Sequence, residues 1–238
     1  MKFVVVGAPR TGTTMFLVTL NTLEQFDVYG ELLGTYRKNP VQHPQKHIED
    51  QRVRTYNVAR KREGITTDKF LDSIFDNKKH VGFKILYQHT ERFPDAVKYI
   101  NNQNIYKVHL LRFNPVKRVV SGFLNRYHHY GEGTNEVKPN VVLNSVKMGQ
   151  KWDEKLYEMF GKNRYMRMYY EDFTKDSNTD VMDFTEVFNF FGIDVNPMVK
   201  VPTKKYGPDK LIDRVGNYGE LYNYFKKNAP EYLKYVEE

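Results

Sequence analysis

The sequence contains no cysteine, a single tryptophan and no long apolar run in its 238 residues. Without cysteine there can be no disulfide and no thiolate metal site. A cysteine-free chain fits a reducing compartment, so a cytoplasmic location is expected. The apolar stretch at residues 3–6 stops at Gly7-Ala8-Pro9-Arg10. It is too short for the hydrophobic part of a secretion signal and far too short to span a bilayer. No later stretch is apolar enough to cross a membrane. What is plentiful is aromatic side chain, 18 Tyr and 16 Phe, within a hydrophobic fraction of 40%. That excludes a disordered chain and suffices for a buried core. Neither repeats nor low-complexity segments occur, so one domain over residues 1–238 is expected.

The formal net charge is +8. A basic balance favours anionic partners, among them nucleotides, nucleic acids and acidic glycans, without choosing between them.

Val4-Val5-Val6 is a β-branched run suited to a strand buried on both faces. Residues 7–14 read as a turn and 15–23 as a helix, the opening of an α/β unit. Further strands are expected at 28–30, 80–86, 105–112 and 164–170, with helices at 114–130 and 141–160. Asn114-Pro115 is a good helix start, Asn as cap and Pro in the first turn. Strands alternating with helices predict an α/β domain, a central parallel sheet flanked by helices in the manner of P-loop NTPases. Residues 38–64 read as an insertion, and 131–140 and 201–209 as polar loops.

The turn Gly7-Ala8-Pro9-Arg10-Thr11-Gly12-Thr13-Thr14 carries the chemistry. Two glycines permit tight backbone geometry, and loop amides at a helix N-terminus face a common anion site. Thr13 and Thr14 add hydroxyl donors and Arg10 adds a cation suited to phosphate oxygens. The spacing is that of a Walker A loop, but Thr13 stands where its lysine belongs. Losing that lysine argues against nucleoside triphosphate chemistry.

Pro9-Arg10-Thr11-Gly12-Thr13-Thr14 resembles the 5′-phosphosulfate loop of the sulfotransferase superfamily. By that resemblance these residues hold the donor PAPS (3′-phosphoadenosine 5′-phosphosulfate, which leaves as PAP), and Arg10 stabilises charge on the leaving phosphate. Arg112 at a strand end and Ser121 on the next helix resemble the 3′-phosphate motif. Their spacing of nine is one more than the family pattern, and Phe113 replaces a second arginine. Lys204 and Lys205, ahead of Asn217-Tyr218-Gly219-Glu220-Leu221, resemble the C-terminal lysine-rich loop of bacterial sulfotransferases of the nodulation-factor and trehalose type. Tyr169-Tyr170-Glu171-Asp172 resembles a further family segment and is assigned a structural role.

Gly30-Glu31-Leu32 resembles the family's Gly-Glu-Leu/Phe motif, whose Glu is the general base. If 28–30 is the second strand, Glu31 lies at its exit beside the phosphate loop, because strand ends of an α/β sheet share one crevice. An acceptor hydroxyl titrates far above pH 7, so a positioned carboxylate must take its proton as the S–O bond forms. Charge developing on the leaving oxygen falls to Arg10 and the loop amides in an in-line displacement. His89, after the Gly82-Phe83-Lys84 segment that also resembles the family, is the second candidate for base or acceptor orienter. No metal is needed by this scheme; His43 and His47 stand four apart with no third ligand nearby. The expected activity is sulfuryl transfer from PAPS to a hydroxyl, of a carbohydrate or glycolipid by the same resemblance. The competing functions are a P-loop kinase or NTPase and a non-catalytic nucleotide- or nucleic-acid-binding module.

Overall fold

The computed structural model describes residues 1–34, 60, 64–76, 79–130, 135–174, 181–202 and 210–238, without the side chains of 125–130. Five parallel strands make the central sheet: β1 (Lys2–Gly7), β2 (Phe26–Tyr29), β3 (His80–Leu86), β4 (Tyr106–Leu111) and β5 (Tyr165–Tyr169). Among the described residues their order is β2-β3-β1-β4-β5. β1 is therefore central, with Val4 opposite Phe83 on one side and Lys107 on the other.

The β1 side chains from Phe3 to Val6 are buried because helices cover both faces. Val4 and Val6 pack with Phe83 and Ile85 beneath α2 (Thr67–Phe75), α4 (Pro94–Asn102) and the end of α6 (Pro139–Phe160). Phe3 and Val5 face the other way, against Phe16, Leu17 and Leu20 of α1 (Thr13–Leu20) and Val187 and Phe188 of α8 (Thr185–Phe191). Alternation by single residues along an all-apolar strand is what two covered faces require. Burying each such Phe or Leu is worth about 1.5–3 kcal/mol. Two short strands, β6 (Val181–Asp183) and β7 (Met198–Lys200), form an antiparallel pair in this second layer.

A third apolar cluster joins α5 (Pro115–Tyr130) and the first half of α6 to the C-terminal helices α9 (Tyr218–Asn228) and α10 (Leu233–Glu237). Asn114 caps α5 as expected, its Oδ1 accepting the Lys117 amide at 2.8 Å. Its Nδ2 donates to the Tyr235 carbonyl at 2.8 Å, which ties α10 to the α5 N-terminus. Two short helices among the described residues, α3 (Tyr87–Arg92) and α7 (Tyr170–Phe173), continue directly from β3 and β5. Among the described residues no helix is long and apolar enough to cross a membrane.

A buried polar group stitches α5 and α6 to β4. Arg118 Nη1 donates to Asp153 Oδ2 at 2.9 Å, with side chains 5% and 14% exposed. The guanidinium crosses α6 at Gly149, where a Cβ would come within 1.8 Å of Arg118 Nη2. His109, fully buried on β4, lies 3.7 Å from Asp153 Oδ1 and meets the Tyr165 hydroxyl through Nδ1. Burial lowers the His109 pKa; Asp153 opposes that shift, and Arg167 and Arg118 add to it.

The expected elements are present with shifted ends. The first helix starts at Thr13, since Gly12 already accepts the Phe16 amide at 2.9 Å. It stops at Leu20 because Asn21 turns out to accept the Val28 amide at 3.2 Å, which pins the entry to β2. The expected loop at 131–140 gives way to α6 from Pro139 onward, proline being well suited to a first helical turn.

Candidate active site

Strand order decides where the site lies. The connection leaving β1 runs to one side of the sheet, and the one leaving β4 runs to the other. Between two such strands the loops diverge and open a crevice at the carboxyl ends. The turn after β1 and residues 112–114 after β4 both border it.

The turn is shaped by two residues in the left-handed region, Arg10 at φ 70° and Gly12 at φ 83°. Tyr170 leaves no space for a side chain at 12: a Cβ there would lie 2.3 Å from its ring. Thr11 is fully buried and its hydroxyl donates to the Ala8 carbonyl at 2.8 Å, so it braces the turn. Among the described residues no side chain caps α1 and no acidic residue sits in its first turn. The helix therefore offers uncapped amides and a positive dipole end to the crevice.

The second motif converges on the first. Arg10 Nε and Nη2 both reach Ser121 Oγ at 3.4 Å. Arg112 Nη1 donates to the Arg10 carbonyl at 3.5 Å and its guanidinium lies over the Tyr170 ring at 5.3 Å. Arg112 Nε is 3.6 Å from Glu171 Oε1, while Glu171 Oε2 accepts the Phe113 amide at 2.9 Å. Tyr169-Tyr170-Glu171-Asp172 thus props the loop after β4, and Asp172 accepts the Tyr169 amide at 3.0 Å. Burial, then Arg112, then Arg214 pull the Arg10 pKa below the usual arginine range. Arg214 belongs to the segment ahead of α9 and had no motif to flag it. Arg112 and Arg214 are thus both near enough to act on Arg10, and such a gathering of cations favours an anion in the crevice.

On the other side of the turn, Lys84 Nζ forms an ion pair with Glu31 Oε1 at 2.8 Å and donates to Thr14 Oγ1 at 3.2 Å. Lys84 comes from the buried strand β3 and restores a cation to a loop whose own lysine is missing. A charge inside the apolar run at 81–86 was the available signal, because a buried ammonium must find a partner. Glu31 Oε2 lies 3.7 Å from His89 Nε2. His89 Nδ1 accepts the Leu86 amide at 3.2 Å, so the neutral ring carries its proton on Nε2, facing Glu31. Burial lowers the His89 pKa; Glu31 works against that, and Lys84 and Arg92 reinforce it.

Pro9, Arg10, Thr11, Gly12, Thr13, Thr14, Glu31, His89, Arg112 and Ser121 therefore border one crevice. Lys204 and Lys205 lie outside the described residues, as do His43 and His47. A profile of the sulfotransferase family matches residues 3–197.

The chain belongs to the sulfotransferase family. Its activity is accordingly sulfuryl transfer. A sulfotransferase from Alicyclobacillus acidocaldarius has a similar structure, with TM-score 0.53 at 13% identity over 99% of this chain and 95% of that one. At that identity the likeness speaks for the α/β fold of this sulfotransferase. Mouse sulfotransferase SULT7A1 complexed with PAP aligns at TM-score 0.48 and 14% identity, over 82% of this chain and 60% of that one. The sulfotransferase domain from the curacin biosynthetic pathway aligns at 0.46 and 14%, over 82% and 75%. No curated protein sequence matches this sulfotransferase.

Proposed function

We propose that this sulfotransferase uses PAPS as donor, with Glu31 as general base toward an acceptor hydroxyl. The observation that carries the donor reading is the meeting of Arg10 with Ser121, which merges two anion-binding elements 111 residues apart into one crevice. A donor with two separated anionic groups fits it. The turn geometry, the uncapped α1 and three arginines near one point suit phosphate and sulfate oxygens better than a neutral ligand. When bound, PAPS supplies a sulfuryl group on a phosphate that leaves as PAP.

The protein's part is charge placement and one proton transfer. Glu31 takes the proton of the acceptor hydroxyl as the oxygen becomes a nucleophile. Arg10 and the amides of Thr13 and Thr14 hold the charge that develops on the leaving side. Ser121 and Arg112 hold the 3′-phosphate, and Lys204 and Lys205 are the candidates to close over it. His89, its Nε2 3.7 Å from Glu31 Oε2, is the second candidate for base or acceptor orienter. The acceptor class, a carbohydrate or glycolipid, rests on Gly30-Glu31-Leu32 and the C-terminal resemblance to bacterial carbohydrate sulfotransferases.

A thermal-shift comparison tests the donor. PAP at a hundred times its dissociation constant should stabilise the protein by about 2.7 kcal/mol, with little effect from AMP or ATP. Stabilisation by ATP alone would instead favour a kinase. Within the same assay, Ser121→Ala should weaken PAP more than adenosine 5′-phosphosulfate. Equal weakening of both would remove Ser121 from the 3′-phosphate site.

A further inference from the structure

We propose that Glu171 is a positioning residue of the donor site: its carboxylate is the resident counterion that holds Arg112 against the turn after β1, ready for the 3′-phosphate. The inference rests on the donor and on the part given to Arg112 above. It adds to them a residue whose role had been structural only.

The sheet brings the two side chains together. β4 and β5 run parallel with Leu111 opposite Tyr169. Arg112 is one residue beyond that pair and Glu171 is two, so both leave the sheet at its carboxyl edge. Glu171 then meets the loop twice. Its Oε2 accepts the Phe113 amide at 2.9 Å, and its Oε1 lies 3.6 Å from Arg112 Nε. The first contact anchors the carboxylate to the backbone, and the second sets it beside the guanidinium. Nη1 of that guanidinium donates to the Arg10 carbonyl at 3.5 Å. Its central carbon lies 5.3 Å from the centre of the Tyr170 ring. Two edges and one face of the plane are therefore bordered by protein groups. A guanidinium has five N–H donors, and among the described residues the Nη1 bond is the one hydrogen bond made. Both donors of Nη2 are left for an anion, which suits a phosphate.

A cation in this place needs a counterion. Arg112 and Arg214 both act on Arg10, and like charges gathered without an anion push one another apart. The Arg112 side chain is 14% exposed, so water relieves little of that repulsion. Without Glu171 the guanidinium would gain by swinging out to solvent, and donor binding would have to draw it back. A preformed site avoids that cost. Glu171 itself is 41% exposed, so water screens its own repulsion of a phosphate. The held geometry of Arg112 is thus the larger effect.

The test compares PAPS with adenosine 5′-phosphosulfate, which differ only in the 3′-phosphate, by calorimetry on the full chain. The ratio of their affinities reads what the protein gains from that phosphate. Glu171→Gln keeps a carbonyl for the Phe113 amide and removes the charge beside Arg112. It should lower the ratio about fivefold, the upper reach of a half-exposed ion pair. In an Arg112→Ala background the same change should leave the ratio where it stands, because Glu171 acts through Arg112. A ratio kept or raised by Glu171→Gln overturns the proposal; equal weakening of both nucleotides keeps the ratio, and is what a mere prop for the loop would give. A fall of the same size in the Arg112→Ala background overturns it as well. Equal affinity of the unaltered protein for the two nucleotides is a different result, and removes the donor reading itself. Melting temperatures check that each variant is folded. Glu171→Asp, whose carboxylate stops one carbon short of Arg112, takes the place of Glu171→Gln with the same expectation if the latter fails to fold.

Discussion

Replacing Glu31 by Gln is expected to lower sulfuryl transfer by at least about a hundredfold while nucleotide binding is retained. Glutamine keeps the shape and one hydrogen-bond acceptor but cannot take a proton at neutral pH. The partners seen in the structure sharpen the expectation. Lys84 at 2.8 Å and His89 at 3.7 Å both direct N–H groups at this carboxylate. Neither offers a lone pair in the crevice to replace it. Single-turnover transfer from bound PAPS, measured beside PAP binding, is the check. Full turnover by the variant would exclude Glu31 as base and turn attention to His89.

The second large effect is structural. Asp153→Ala should destabilise the protein by about 3–5 kcal/mol, because it strands the Arg118 guanidinium in a site where its side chain is 5% exposed. For a chain of this size the melting temperature should fall by on the order of ten degrees. Replacing both partners, Arg118→Met with Asp153→Leu, should recover much of that, since no unpaired charge remains. A melting temperature within a degree or two of the unaltered protein would show that solvent reaches Arg118. The pair also bears on the site: Arg118 and Ser121 lie one turn apart on α5, so the clamp sets the roll of the helix that presents Ser121 to Arg10.

Much of this architecture could be read from local pattern. Val4-Val5-Val6 ahead of a glycine-bracketed turn announced a strand, a tight turn and a helix, because β-branched side chains and left-handed backbone are local preferences. Asn114-Pro115 announced α5 for the same reason. The short pair β6 and β7 left no comparable trace: three residues carry too little periodicity to distinguish from loop. The glycine at 149 within α6 is explained only by the crossing Arg118, which leaves no room for a Cβ there.

Residue chemistry and spacing along the chain therefore determined the parallel α/β class, the turn between β1 and α1 and the candidacy of Glu31 and Ser121, since each depends on neighbours within a few residues. Only the tertiary structure decided that Ser121 meets Arg10, that Lys84 reaches Thr14 in the turn, and that Arg214 lies near enough to act on Arg10. Those meetings depend on strand order and on long-range packing, in which β1 stands between β3 and β4. The order of strands is a property of how whole layers bury their apolar faces, and no window of sequence contains it.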